Sequence, residues 1–213
     1  DAIDKFRFES LSNTELASAT EELRIRIDVD KDAKTVTITD NGIGMTREEA
    51  IALLGTIAKS GTAQFLDSLT GDQKQDAQLI GQFGVGFYST FIVADKVVVE
   101  SRSAKAGKDE AVRWTSEGEA EFEVETIERE AAGTSVTLHL KPDETEFADG
   151  WRIRNIVKKY ADHVSVPVVM KQMSTEEDKE PEDEVINSAK ALWTRSRSDV
   201  SEDEYKEFYK LVS

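Results

Sequence analysis

Two stretches of strict alternation near the start of the chain constrain its fold more than any other feature. Leu23, Ile25, Ile27 and Val29 fall on one phase of a two-residue period. After turn residues at Asp30 to Ala33, Val36 and Ile38 alternate with Thr35, Thr37 and Thr39. A period of two puts each set on one face of an extended strand, so the segment reads as a β-hairpin with a buried face. Strand-like stretches recur at 96–102, 110–115, 120–126 and 134–140, and another is expected over 166–171. Helical spacing interrupts them. Ala2, Ile3, Phe6 and Leu11 suggest the end of a helix, and Thr46-Arg47-Glu48-Glu49 is a capping box. That box should open a helix running to about Ile57, with Ile51, Leu54 and Ile57 on one face. A short helix near 88–94 and a longer one around 149–162 follow. Helices and mostly hairpin-joined strands interleave without a regular β-α-β alternation. The expected class is therefore α+β, a two-layer α/β sandwich whose antiparallel-rich sheet is covered by helices.

Composition excludes several functions. A formal net charge of −16 repels nucleic-acid backbones, so no nucleic-acid partner is expected. No apolar run approaches the roughly 20 residues that span a bilayer, and no membrane association is expected. The chain has no cysteine, which removes disulfides, thiol catalysis and thiolate zinc sites and fits a reducing, cytoplasmic setting. The opening DAIDKFRFES lacks the layout of a secretory signal. Residues 174–184 hold seven acids against one lysine and read as a solvated hairpin tip or linker. Beyond them, Ser201 to Glu204 form a second capping box. Tyr205, Phe208, Tyr209 and Val212 then make an apolar helical stripe. The expected organisation is one compact domain over 1–172, an acidic hairpin or linker over 173–190, and the start of a following domain over 191–213.

Three segments can carry chemistry. The first is Asp40-Asn41-Gly42-Ile43-Gly44-Met45, at a strand end before a capped helix. A carboxylate there can accept from an exocyclic amine while glycines let a flat ring approach the backbone. Asp-Asn-Gly is also ordinary turn composition, and on this segment alone the turn is the better reading. The second comprises Gly55 to Gly61 and Ile80 to Ser89, where Gly81, Gly84 and Gly86 lie within six residues ahead of a helix start. Backbone N–H groups in such a loop suit a polyphosphate, and Lys59 can add a charge. A plain surface loop has the same composition. There is no G-x-x-x-x-G-K-[ST] loop and no strand-led G-x-G-x-x-G with a trailing acid. The third is Gly133-Thr134, where a hydroxyl opens a strand and is equally an ordinary β-branched strand residue. Asp28, Asp30 and Asp32 begin like a calcium loop, but Ala33 stands where glycine is required and Thr39 where the closing acid belongs. His139 and His163 have no second ligand at metal spacing, and there is no G-x-S-x-G elbow.

In this order the segments resemble the nucleotide site of the GHKL ATPases, which include gyrase, heat-shock protein 90, histidine kinases and the MutL repair proteins. LGTIAKSGT at 54–62 and IGQFGVGFYS at 80–89 resemble heat-shock protein 90 almost word for word, and ALWTR at 191–195 resembles that family's junction into its middle domain. The short acidic stretch looks like the bacterial form. The resemblance covers essentially the whole chain. It implies that Asp40 hydrogen-bonds the adenine amino group, that Gly44 and Met45 lie against the base, and that Thr134 completes the polar network. Lys59 and the loop with Gly84, Val85, Gly86 and Phe87 would face the phosphates of ATP or ADP. Asp1 and Ala2 match the end of the family motif E-x-x-x-N-x-x-D-A. Its water-activating glutamate would fall seven residues before Asp1 and its Mg2+-binding asparagine three before, so no catalytic or metal residue is assigned within this chain. Leu53 stands where some relatives carry a polar residue near the base.

The resemblance further implies a molecular chaperone of the stress response. ATP binding and hydrolysis would close a homodimeric clamp on unfolded client proteins. Two rivals from other classes are a histidine-kinase catalytic domain and an interaction module in which Asp40 and the glycine loops are plain turns.

Overall fold

The computed structural model describes residues 1–14, 16, 22–55, 81, 84–119, 121–172 and 182–189. Helix α1 (Ala2–Ser10) is followed by the expected hairpin, β1 (Ile25–Asp30) and β2 (Thr35–Asp40). Its turn is held by the Asp30 carboxylate, which accepts from the N–H groups of Asp32 and Ala33 at 3.0 and 2.8 Å. Asp30 thus serves a turn and Asp28 pairs with Arg26, and no metal-holding group of three acids or histidines occurs among the described residues. Helix α2 (Arg47–Leu54) starts on a complete capping box: Glu49 N–H donates to the Thr46 hydroxyl, and Thr46 N–H donates to the Glu49 carboxylate. Strands β3 (Ala94–Arg102), β4 (Ala111–Ser116), β5 (Glu123–Ile127) and β6 (Gly133–Leu140) come next. Helix α3 (Gly150–Tyr160), β7 (Val168–Lys171) and β8 (Asp183–Val185) complete the described elements.

The eight strands form one sheet in the order β5-β4-β3-β6-β2-β1-β7-β8, and only the β1–β7 pair is parallel. This is the α+β sandwich the sequence predicts. Three local expectations need revision. The short helix near 88–94 is a 3-10 turn over Phe87–Ile92, and Ala94 already belongs to β3. Aromatic and β-branched residues crowd that segment and lose rotamer freedom in an α-helix. The strand expected from Val166 pairs only from Val168, because Pro167 has no N–H to donate; its carbonyl instead accepts from Ile25 N–H at 2.9 Å. Helix α2 stops at Leu54, with Gly55 at its C-cap, short of the Ile57 expected from the pattern. In the acidic stretch, Asp183–Val185 are exposed and pair antiparallel with β7. Ile57, Lys59 and the stripe at 205–212 lie outside the described residues.

Register fixes what the inner face of the sheet presents. Opposed residues form rows across the strands. One runs Val29, Val36, Leu138, Val97, Ser116, and the next runs Ile27, Ile38, Val136, Val99, Trp114, Val124. These rows carry most of the core, closed from the other layer by Ala148, Ile153 and Val157 of the α3 region, Leu54 of α2 and Phe87 of the 3-10 turn. The opposite face is polar, with paired hydroxyls Thr37–Thr137 at 3.0 Å and Thr39–Ser135 at 2.9 Å. Among the described residues no helix is long and apolar enough to cross a membrane.

Candidate nucleotide site

The third inner-face row breaks the apolar pattern. It runs Ile25, Asp40, Thr134, Ser101, Val112, Thr126, so three adjacent central strands each place a polar side chain there. Ser101 is fully buried and Thr134 is buried. Buried polar groups persist only where their hydrogen bonds are made. Ser101 and Thr134 meet hydroxyl to hydroxyl at 2.9 Å, Ser101 Oγ accepts the Met45 N–H at 2.8 Å, and it reaches the Gly133 carbonyl at 3.2 Å.

Asp40 ends β2, and its Oδ1 accepts from Gly42 N–H at 2.9 Å, which fixes the carboxylate against its own turn. By surface area the residue is half-buried. Its carboxyl nonetheless lies deep enough that desolvation lifts its pKa above the ordinary carboxylate range, against the lowering effect of the Gly42 N–H and of Arg129. Arg129 is itself held by the carbonyls of Glu100 and Ala131 and by Ser135 Oγ; burial lowers its pKa. Beside Asp40 in the row below, Ile38 belongs to the inner face yet is 38% exposed. An apolar floor with a carboxylate and a hydroxyl at one end suits a flat ring bearing an amine.

Two glycines let backbones close around this end. Gly44 has φ +65°, and a Cβ there would lie 2.0 Å from the Arg102 carbonyl oxygen. Gly133 has φ +105°, and a Cβ would lie 2.1 Å from that of Asp40. Both positions admit glycine alone, on conformation and on space. The Asp40–Met45 loop is thereby clamped between the segment just past β3 and α1, with Ala104 N–H donating to the Ile43 carbonyl at 2.8 Å and Ile43 N–H to the Ala2 carbonyl at 3.2 Å.

Of the residues singled out by sequence, Asp40, Gly44, Met45 and Thr134 are therefore brought together. Asp1 lies at the start of α1, and its carboxylate accepts from Gly81 N–H at 2.7 Å, tying α1 to the glycine loop. Within that loop Gly84 has φ +63°, Val85 is exposed, and no atom lies within 4 Å of a Cβ built on Gly86. Phe87 turns its ring inward, edge-on to Trp114 at 5.4 Å, so its side chain anchors the loop and only its backbone is left for a ligand. The Tyr88 hydroxyl donates to the Leu54 carbonyl at 2.9 Å and fastens the same turn to α2. Sequence reading missed Ser101 and gave Gly133 no role beyond opening the Thr134 strand. The signal for Ser101 was present: Val97, Val99 and Ser101 share one phase of β3, and a serine follows two valines there.

Residues 8–150 match the family model described as histidine kinase-, DNA gyrase B-, and HSP90-like ATPase, and residues 170–213 match the Hsp90 protein model. The chain is 54% identical over 218 aligned residues to the chaperone protein HtpG of Bordetella avium (strain 197N). That alignment takes in 100% of this chain and 34% of the relative, so the chain spans about a third of the relative's length.

Proposed function

Because the chain belongs to the histidine kinase-, DNA gyrase B- and HSP90-like ATPase family, we propose that the inner face at the Asp40 row is the wall of a cleft that binds the adenine nucleotide with which a chaperone drives its clamp. The observation that carries this reading is the Asp40 carboxylate, oriented by Gly42 N–H, at the edge of the exposed Ile38 floor. Asp40 accepts the ring's amino group, Thr134 shares in that polar edge, and the backbone at Gly44 and Met45 lies along the base. The Gly84–Phe87 backbone, with Lys59, faces the phosphates of ATP or ADP. Asp1 positions the loop through Gly81.

The longer protein hydrolyses ATP. The glutamate and the Mg2+-binding asparagine of the family motif belong to positions seven and three before Asp1. Catalysis by a base requires hydrogen-bond reach of the attacking water, and no residue of this set is assigned that role. Residues 1–172 form the nucleotide-binding unit, 173–190 an acidic hairpin or linker, and 191–213 the start of a middle domain. The separate family matches over 8–150 and 170–213 support a first unit followed by a second. The longer protein works as a cytoplasmic homodimer on unfolded client proteins. Identity to a chaperone along the whole chain favours this reading over a histidine-kinase catalytic domain.

Calorimetric titration of the chain with ATP and ADP tests the proposal. Saturable one-to-one binding that competes with other adenine nucleotides is the expected result. Absence of any adenine-nucleotide binding overturns it and leaves an interaction module with structural turns.

A further inference from the structure

We infer that Ser101 is a specificity-determining residue: by fixing the direction of the Thr134 hydroxyl, it makes the Asp40–Thr134 part of the proposed cleft accept hydrogen bonds only. The inference deepens the nucleotide reading and rests on it. A serine hydroxyl has one hydrogen to donate and two lone pairs. Ser101 Oγ has three neighbours: the Met45 N–H at 2.8 Å, Thr134 Oγ1 at 2.9 Å and the Gly133 carbonyl at 3.2 Å. The amide can only donate and the carbonyl can only accept. If Ser101 donated to Thr134, the contact with Gly133 would contain no hydrogen, and one of three short polar contacts in a fully buried site would be wasted. All three become hydrogen bonds in one arrangement alone: Ser101 donates to Gly133, and Thr134 donates to Ser101.

The consequence is chemical. Thr134 has spent its hydrogen inward and offers only lone pairs to the cleft. Its neighbour in the row, the Asp40 carboxylate, also only accepts when ionised. A ring edge bearing an amino group, or a water that donates, satisfies this wall. A ring edge that turns its 6-carbonyl to these two groups opposes acceptor to acceptor, its N1–H donor standing one ring position away. Ser101 touches no ligand in this scheme. It acts through Thr134 and so distinguishes 6-amino from 6-keto purines.

The test compares ADP with inosine diphosphate by calorimetry on the chain, whose unliganded melting is followed in parallel. In Ser101→Ala the Thr134 hydroxyl loses its acceptor and is free to turn its hydrogen into the cleft. The ratio of the two affinities should fall by roughly tenfold, about what one hydrogen bond of ordinary strength gives. Part of that change should be a gain in inosine diphosphate affinity, which general damage to the fold does not produce. Ser101→Thr keeps the hydroxyl and should keep the wild-type ratio. If the alanine variant does not fold, Ser101→Cys carries the same expectation, because a thiol is a poor acceptor. A wild-type ratio in a folded Ser101→Ala or Ser101→Cys overturns the inference while leaving the nucleotide reading intact. A wild-type chain that binds neither nucleotide fails the nucleotide reading itself.

Discussion

The inner face of this sheet is built in two manners within two residues of each other. At one end, the rows through Val36, Leu138 and Val97 and through Ile38, Val136 and Val99 are apolar, and their energy is burial. At the other end, the row through Asp40, Thr134 and Ser101 is polar, and desolvation there must be offset bond by bond. The same strands, register and covering layer produce both. The apolar rows hold the strands at the spacing the polar row needs, and the polar row returns little stability for it. This end of the sheet suits the ligand proposed for it, and burial that lifts the Asp40 pKa is the physical sign of the cost.

Breaking the apolar rows should have the largest effect. Trp114 is 2% exposed, stacked on Phe122 at 5.8 Å and met edge-on by Phe87. Trp114→Ala should cost about 3–5 kcal/mol, read as a lower urea midpoint, and should loosen the 3-10 turn that bears Phe87. A loss below 1 kcal/mol would mean that the apolar rows are not what holds the sheet.

In the polar row, stability and binding should move in opposite directions. Asp40→Asn should weaken adenine-nucleotide binding by roughly 10- to 150-fold, the worth of a hydrogen bond to a charged group, about 1.5–3 kcal/mol. The unliganded variant should nonetheless be more stable than wild type at neutral pH. Native Asp40 holds its proton more tightly than the unfolded chain does. As pH rises from the ordinary carboxylate range through the raised native value, its contribution therefore falls, and above that value it stays low. The stability difference between variant and wild type should thus open across that window and close below it. Denaturation of both proteins at a series of pH values checks this; a constant difference would place the Asp40 carboxyl in water.

A smaller effect is expected where the loop from the polar row enters α2. Thr46→Ala removes the hydroxyl that accepts from Glu49 N–H and should cost about 0.5–2 kcal/mol by thermal melting, with nucleotide affinity changed less. The smallest is expected on the outer face. Replacing Thr37 and Thr137 together by valine removes both members of one hydroxyl pair, and the change should be nearly neutral because no group is stranded. A large loss from that double variant would show that the outer face carries energy the inner rows are credited with.

Much of the fold was legible because its signals are local. Alternation at 23–39 and at 134–140 marked strands, and Thr46-x-x-Glu49 marked a helix start, since period and capping depend on residues a few positions apart. The misjudged boundaries at Ala94 and Val168 were decided by a crowded turn and by an N–H that Pro167 lacks. Asp40, Gly44, Met45 and Thr134 could be named from motif resemblance, whereas Ser101 could not. A serine in an alternating strand looks like a lapse in the pattern until its neighbours are known.

The sequence by itself determined which residues of each strand share a face: Val36, Ile38 and Asp40; Leu138, Val136 and Thr134; Val97, Val99 and Ser101. Each set is apolar until its last member. Only the tertiary structure decided that the three exceptions lie side by side. Strand order β3-β6-β2 and the register of two antiparallel pairings, made between segments up to about a hundred residues apart in the chain, bring them into one row. A two-residue period carries no information about partners. That choice belongs to the packing of the whole sheet, where a one-residue slip would turn every apolar side chain to the wrong face.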